Sequence, residues 1–119
     1  MELTLPWPPS LNRYWRSVAI KGQVRVLISS EGRAYRQAVA WAVPASHRRR
    51  LEGRLLVTVA ARPPDRRPRD LDNMLKAALD ALAKAGVYKD DSQIDYLTIE
   101  RRAPIAGGEL RVCVQEAVT

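Results

Sequence analysis

At 119 residues the chain has room for one domain built around a single core, but not for two ordinary domains. Its hydrophobic fraction of 46% is that of a globular protein and not of a disordered one. The formal net charge is +7, from 20 Lys and Arg against 13 Asp and Glu. A basic surplus of this size favours a polyanionic partner, most simply nucleic acid.

Cysteine and histidine, which serve much redox and metal chemistry, are nearly absent. The one cysteine, Cys113, excludes an intrachain disulfide and suits a reducing compartment. It lies in an alternating run, which predicts a buried structural thiol. The one histidine, His47, excludes a site with several histidine ligands. Neither a secretory signal pattern nor an apolar run of about 20 residues is present, so we expect a cytoplasmic protein without a membrane partner or an organic cofactor.

The N-terminal half predicts two strands and a helix. Residues 2–5 alternate between polar and apolar side chains, as in a strand, and the prolines after them end it. The β-branched run 24–29 predicts a second strand. A helix from Ser29 or Ser30 to about Val43 follows, because serine favours its start and Pro44 its end. Its buried side is expected to consist of Tyr35, Ala38, Val39, Trp41 and Ala42.

The segment between these strands mixes arginine, asparagine and aromatic residues in an exposed pattern. Arginine and asparagine side chains bind phosphates, and aromatic rings stack on unpaired bases. We therefore expect Asn12, Arg13 and Arg16 to contact DNA. The tryptophans beside them are interpreted as packing anchors of an irregular loop.

The second half begins with the clearest strand, residues 54–62, which we expect to be central in the sheet. A basic loop follows, and then a helix from about Leu71 to Ala85, ended by Gly86. At about 100° per residue, the helix has one apolar and one polar face. The apolar face contains Leu71, Met74, Leu75, Ala78, Leu79, Leu82 and Ala85. The polar face contains Asp72, Asn73, Lys76, Asp80 and Lys84.

Two further strands are predicted at residues 94–102 and 110–116, joined as a hairpin through the turn at 106–108. The predicted order is β-β-α-β-α-β-β. We expect a single α+β domain over residues 1–119, with a mixed, mostly antiparallel sheet and two helices packed on it.

The basic loop and the start of the next helix combine phosphate chemistry with metal chemistry. Three arginines precede two aspartates, Asp70 and Asp72, and Lys76 lies one helical turn further on. Arginine binds phosphate in a bidentate manner. Hard cations such as Mg²⁺ are usually held by one or two carboxylates plus substrate phosphates, so the combination is what a metal-dependent nuclease needs. The candidate DNA contacts in this region are Arg66, Arg67, Arg69 and Asn73.

The acidic residues and the lysine also have ordinary structural interpretations. Asp70 suits a helix N-cap, and Asp72 suits the positive end of a helix dipole. Lys76 suits an exposed salt bridge with Asp72, worth about 0.5 kcal/mol or less. A complete Mg²⁺ site would use a third carboxylate, for which Asp91 is the candidate. Since the helix is about 22 Å long, Asp91 either returns along the adjacent strand or comes from a second subunit.

Three blocks follow one another in a distinctive order. The first is Leu5-Pro6-Trp7-Pro8-Pro9-Ser10 with Asn12-Arg13-Tyr14, and the second is Ser30-Glu31-Gly32-x-x-Tyr35-Arg36. The third is Arg69-Asp70-Leu71-Asp72-Asn73-x-x-Lys76, followed by Ala85-Gly86 and Asp90-Asp91. Together they resemble the RusA-type Holliday junction resolvases over nearly the whole chain.

The resemblance implies a homodimeric, Mg²⁺-dependent endonuclease, in which Mn²⁺ substitutes for Mg²⁺. Such enzymes nick four-way DNA junctions symmetrically in recombination and repair. The metal-binding acids of the family fall on Asp70, Asp72 and Asp91, which are catalytic together with Lys76. Two alternatives stay open at this point: a non-catalytic protein that binds DNA structures, and a Mg²⁺ nuclease that acts on other branched DNA or on RNA.

Overall fold

A four-stranded mixed sheet forms the body of the computed structural model, which describes residues 1–117. The strands lie in the order β1 (Glu2–Pro6), β6 (Glu109–Glu116), β4 (Leu55–Arg62) and β5 (Ile94–Arg101). Strand β6 is antiparallel to both of its neighbours, whereas β4 and β5 are parallel. The predicted mixed sheet of an α+β fold is confirmed, and β4 is an interior strand as expected.

One face of this sheet is covered and the other is open. Alternate residues of β1, β4 and β6 point to the covered face and are buried, as the period of two in these strands predicts. They are Leu3, Leu5, Leu55, Val57, Val59, Ala61, Leu110, Val112 and Val114. Cys113 has the opposite parity and is half-buried on the open face. The prediction of a buried thiol is therefore wrong.

Two helices supply the other half of the core, as predicted. Helix α3 (Asp72–Lys84) buries the apolar face that its sequence period indicates, with Met74, Leu79 and Leu82 each less than a tenth exposed. Helix α2 (Ser30–Ala42) begins at Ser29, whose hydroxyl accepts a hydrogen bond from the Gly32 amide at 2.9 Å. Within the described residues no helix is both long and apolar enough to cross a bilayer.

The buried side of α2 is narrower than expected. Tyr35 and Val39 are buried, but Ala38 is exposed and Trp41 is 82% exposed. Val39 and Trp41 are two positions apart and so lie about 200° apart around the helix axis. The prediction that Trp41 and Ala38 are core residues is therefore wrong.

The N-terminal region contains two elements that the sequence did not predict. A single helical turn, α1 (Leu11–Tyr14), is followed directly by β2 (Trp15–Ile20). Strand β2 pairs antiparallel with the predicted second strand, β3 (Gln23–Ile28), as a separate two-stranded sheet. The connecting turn at Lys21 and Gly22 has φ of 52° and 78°, the left-handed geometry of a tight hairpin turn.

The predicted hairpin between the last two strands is wrong. Strand β4 lies between β5 and β6, so residues 102–108 cross the end of β4. The crossing is held by hydrogen bonds from the Arg102 amide to the Ala61 carbonyl, at 2.8 Å, and from the Ile105 amide to the Pro63 carbonyl, at 2.9 Å. A glycine turn between two strands marks a reversal of the chain, but it does not identify the strand that lies between them.

Gly32 is required where α2 passes the end of α1. A Cβ at this position would lie 2.4 Å from the Tyr14 carbonyl oxygen and 2.7 Å from Ile28 Cγ1. We expect Gly32→Ala to lower the free energy of unfolding by about 1 to 3 kcal/mol, as measured by urea denaturation. Gly53→Ala is the control, because the nearest atom to its Cβ would be 3.9 Å away, and it should change stability by about 0.5 kcal/mol or less. Equal stability of the two variants would contradict this packing.

Candidate active site

The basic loop between β4 and α3 is organised around Asp65. Arg69 Nη1 lies 2.7 Å from Asp65 Oδ1, and Arg67 Nε lies 3.2 Å from Asp65 Oδ2. The hydrogen bond from Arg69 and then that from the Arg67 amide lower the pKa of Asp65 to about 2. Two of the three predicted phosphate-binding arginines are thus ion-paired within the loop, and Arg69 also lies over the Trp7 ring. Arg66 is exposed and is in no ion pair in the described part of the chain.

The two aspartates at the start of α3 are exposed to solvent. The backbone carbonyl of Asp70 accepts a hydrogen bond from the Asn73 amide at 3.3 Å, but no side chain caps the first turn of the helix. Asp70 therefore does not act as the side-chain cap that its position suggested. In residues 1–117 neither Asp70 nor Asp72 forms an ion pair, so both carboxylates are available to a ligand.

Asp91 reaches the polar face of α3 within the same chain. Its Oδ2 accepts a hydrogen bond from Lys76 Nζ at 2.9 Å. Asp91 begins a short 3-10 turn, Asp91–Gln93, which Asp90 caps by accepting a hydrogen bond from the Ser92 amide at 2.9 Å. The buried Gln93 fixes this turn to the protein body, because its Nε2 donates to the carbonyls of Leu51 and Gly53, both at 2.8 Å. The partner of Lys76 is thus Asp91 and not Asp72.

The three predicted metal ligands do not form one compact cluster. No group of three His, Cys, Asp or Glu side chains within residues 1–117 is arranged to hold a metal ion. Lys76 follows Asp72 by four residues, about 6 Å along the helix axis, and Asp70 lies before the helix begins. The structure shows two aspartates without an ion pair in residues 1–117, Asp70 and Asp72, and a separate contact between Lys76 on α3 and Asp91 in the turn Asp91–Gln93. The three-carboxylate metal site stays a prediction.

The donor chemistry nevertheless suits a hard divalent cation. Mg²⁺ prefers oxygen ligands, keeps several waters and is usually bound through one or two carboxylates together with substrate phosphates. Asp70 and Asp72 supply two free carboxylates of this kind. Lys76, one helical turn after Asp72, supplies a positive charge, and its hydrogen bond to Asp91 raises the pKa of its ammonium above the ordinary value.

Asp80 lies on the polar face of α3, as predicted, but it is largely covered by other side chains. Its Oδ2 accepts hydrogen bonds from Arg36 Nη2 at 2.8 Å and from the Tyr14 hydroxyl, and its side chain is only 18% exposed. Helical spacing correctly places Asp80 one turn after Lys76. It does not show that α1 and α2 pass over that point, so the contact among Tyr14, Arg36 and Asp80 could not be predicted from the sequence.

A cleft of about 370 Å³ lies beside the aspartate pair. Its walls come from the proline-rich segment after β1 and from the start of α3. The lining residues are Trp7, Pro8, Ser10, Pro68, Arg69, Asp70, Asn73 and Met74. A larger depression of about 670 Å³ on the open face of the sheet contains none of the predicted site residues. The smaller cleft is therefore the one that belongs to the candidate active site.

The predicted DNA contacts of the N-terminal segment are exposed. Asn12 and Arg13 lie on α1 and Arg16 lies on β2, and none of the three is in an ion pair in the described residues. Asn73 is also exposed, on α3 beside Asp72. Exposed carboxylates, a protonated lysine and cations without an ion pair in the described residues are the parts of a site for phosphodiester chemistry.

Comparisons with known proteins agree with this class. The family described as "Endodeoxyribonuclease RusA" matches residues 6–115. The chain is 42% identical over 119 residues to the crossover junction endodeoxyribonuclease rusA of Enterobacteria phage 82, covering 97% of this chain and 93% of the relative. With the same coverage, it is 41% identical over 116 residues to RusA of Escherichia coli strain K12 and 39% over 121 residues to rusA of Enterobacteria phage HK97. The chain belongs to the RusA endodeoxyribonuclease family.

The pairing of Lys76 with Asp91 predicts a change in lysine titration. Asp91→Asn should lower the pKa of Lys76, measured by NMR titration of the side-chain amine, because the strongest acceptor is lost. Asp95→Asn removes an exposed aspartate that binds Arg54 instead, and should leave the Lys76 titration unchanged. Since the folded-state pKa of Lys76 is raised, any stability from the pair is present below pH 10.5 and is lost as the pH rises further. A Lys76 titration insensitive to Asp91→Asn would contradict the contact.

Proposed function

We propose that this protein is a metal-dependent endonuclease that resolves four-way DNA junctions by nicking two opposing strands. The observation that carries the proposal is the exposed Asp70 and Asp72 at the start of α3, with Lys76 one turn further along the helix and Asp91 hydrogen-bonded to it. Membership of the RusA endodeoxyribonuclease family supports the reaction and the junction substrate.

Asp70, Asp72 and Asp91 are the residues that would hold the metal. When bound, a divalent cation such as Mg²⁺ or Mn²⁺ lowers the pKa of a water molecule and neutralises phosphate charge. The hydrogen bond from Lys76 engages only Oδ2 of Asp91. Oδ1 of Asp91 is thus left for a second partner, such as the metal.

Lys76 has a separate role in the proposed reaction. Its ammonium stays protonated because Asp91 and, through their charge, Asp80 and Asp90 raise its pKa. A fixed positive charge beside the phosphate stabilises the negative charge that develops in the transition state. Lys76 is therefore proposed as an electrostatic catalyst and not as a general base.

The DNA backbone is proposed to follow the exposed polar and cationic side chains of the segments that form the cleft. Asn73 lines the cleft itself. Asn12, Arg13 and Arg16 follow the lining residue Ser10 along the chain, and Arg66 precedes the lining residue Pro68; all four are exposed. Contacts of this kind position a nucleic acid without reading its sequence. We therefore expect the preference for junctions to depend on the shape of the DNA. Arg67 and Arg69 contribute charge from within their ion pairs with Asp65.

Two symmetric nicks in one junction call for two copies of the site. A C2 homodimer supplies them, because its two subunits present identical surfaces related by a two-fold axis. The proposal thus includes a homodimer, with each Asp91 acting on the α3 of its own chain, as the Lys76 contact supports. It places the enzyme in the cytoplasm, together with the DNA on which it acts.

Removal of either free carboxylate should abolish cutting but not binding. Loss of a residue that only supports a metal ligand typically lowers activity roughly 10- to 100-fold. We expect Asp70→Asn and Asp72→Asn to reduce nicking of a synthetic four-way junction in Mg²⁺ by more than this. Junction binding should survive or tighten, because each variant removes negative charge. Nicking is measured on denaturing gels, and binding by gel shift without divalent cations.

Asp95→Asn is the matched control, since it removes the same charge from an exposed position on β5. It should cut at close to the wild-type rate. Undiminished cutting by both Asp70→Asn and Asp72→Asn would contradict the site. A wild-type protein that binds junctions but never nicks them, with or without metal, would be a non-catalytic DNA-binding protein.

A further inference from the structure

Side chains from α1 and α2 donate hydrogen bonds to one carboxylate oxygen on α3. Asp80 Oδ2 accepts hydrogen bonds from the Tyr14 hydroxyl and from Arg36 Nε and Nη2, the last two at 3.0 and 2.8 Å. Arg36 Nε is also 2.9 Å from the Tyr14 hydroxyl oxygen. Tyr14 is fully buried, and the Arg36 side chain is 24% exposed. We call these residues the Asp80 cluster.

The acidic member of the cluster lies on the helix that carries the candidate active site. Asp72, Lys76 and Asp80 follow one another at intervals of four residues on α3, so they form one stripe along the helix. Asp80 occupies the end of this stripe away from the free aspartate pair. Its hydrogen bonds with Tyr14 and Arg36 therefore connect α3 to α1 and α2.

Tyr14 holds the segment that carries the proposed N-terminal DNA contacts. It is the last residue of α1, and it follows Arg13 and precedes Trp15. Its carbonyl accepts hydrogen bonds from the Ser29 amide at 3.0 Å and from the Ser29 hydroxyl at 2.9 Å. Arg36 also lies 5.7 Å from the centres of the Tyr14 and Trp15 rings. The segment is thus fastened to α2 by its backbone and to α3 by the Tyr14 hydroxyl.

The other end of α1 faces the active-site cleft. Ser10, which immediately precedes α1, lines the cleft together with Asp70 and Asn73. The helical turn from Leu11 to Tyr14 therefore lies between Ser10, which lines the cleft with Asp70, and Tyr14, which binds Asp80. Any tilt of this turn would move the unpaired Arg13 relative to the acids of α3.

We propose that the Asp80 cluster positions the DNA-contacting segment 12–16 against α3, so that a phosphate backbone meets the arginines and the acids in register. Tyr14, Arg36 and Asp80 are positioning residues and touch no reacting group. The inference rests on the proposed function, because it takes DNA as the ligand. A purely structural cluster would support folding alone, and a buried ion pair often adds little net stability.

Tyr14→Phe tests the inference with a small change. It removes one hydroxyl and keeps the ring, while Tyr35→Phe removes an equally buried hydroxyl that donates to the Pro6 carbonyl at 2.8 Å, away from the cluster. Tyr14→Phe loses the hydrogen bond to Asp80 and the one from Arg36 Nε, whereas Tyr35→Phe loses one hydrogen bond. Both variants should stay folded, with a small fall in the urea midpoint. Urea denaturation of both variants tests this.

The readout is junction binding, measured by fluorescence anisotropy without divalent cations at several salt concentrations. Tyr14→Phe should raise the Kd about tenfold and flatten the dependence of log K on log salt by about one to two units, because Arg13 and Arg16 lose their register with phosphates. Tyr35→Phe should change the Kd less than about twofold. Single-turnover nicking at saturating enzyme should fall less than about threefold in Tyr14→Phe, since the acids and Lys76 do not move.

Asp80→Asn should weaken binding in the same direction, and if it fails to fold, Tyr14→Phe alone decides. Equal Kd values and equal salt dependence for Tyr14→Phe and Tyr35→Phe would overturn the positioning role and leave the proposed function standing. Absence of junction binding by the wild-type protein would overturn the proposed function, and this inference with it.

Discussion

The burial of one face of α3 against the sheet determines what its other face presents. Met74, Leu79 and Leu82 are fixed in the core, and each large apolar side chain stabilises this orientation by about 1.5 to 3 kcal/mol. Rotation of the helix by one residue would expose them, so the polar stripe from Asp72 to Lys76 has no freedom to turn away. Asp72 is thus carried by a rigid element, and Asp70 lies two residues before it, at the end of the loop that leads into the helix.

A second constraint brings the remaining carboxylate to that helix. The chain reverses at Gly86, where φ is 88°, and the buried Gln93 then fixes the turn that holds Asp91 against Lys76. The lysine and the acid are 15 residues apart in sequence but share one hydrogen bond. This hydrogen bond therefore links the turn after α3 to the second turn of that helix, within one chain.

Local patterns in the sequence predicted α3, its two faces and the interior position of β4, because periodicity and capping act within a few residues. Contacts that depend on tertiary packing could not be predicted in this way, because they join residues far apart in sequence. The burial of Asp80 depends on where α2 crosses α3, and the insertion of β4 between β5 and β6 depends on sheet order, which a glycine turn does not encode. The same limit explains why Lys76 was paired with Asp72 by helical spacing, when the partner is Asp91. The arginine-rich loop before them, their position at the start of a helix and the resemblance to a known family point to Asp70 and Asp72, and the structure adds that both are exposed and without an ion pair in residues 1–117.

The decisive experiment is cleavage of a four-way DNA junction with each strand labelled in turn. We expect nicks at symmetric positions in two opposing strands, dependent on Mg²⁺ or Mn²⁺ and abolished by a chelator. The products should be two duplexes that a ligase can seal. Stable junction binding by the wild-type protein without any strand cleavage in either metal would contradict it. So would metal-independent cutting of linear duplexes and junctions at equal rates.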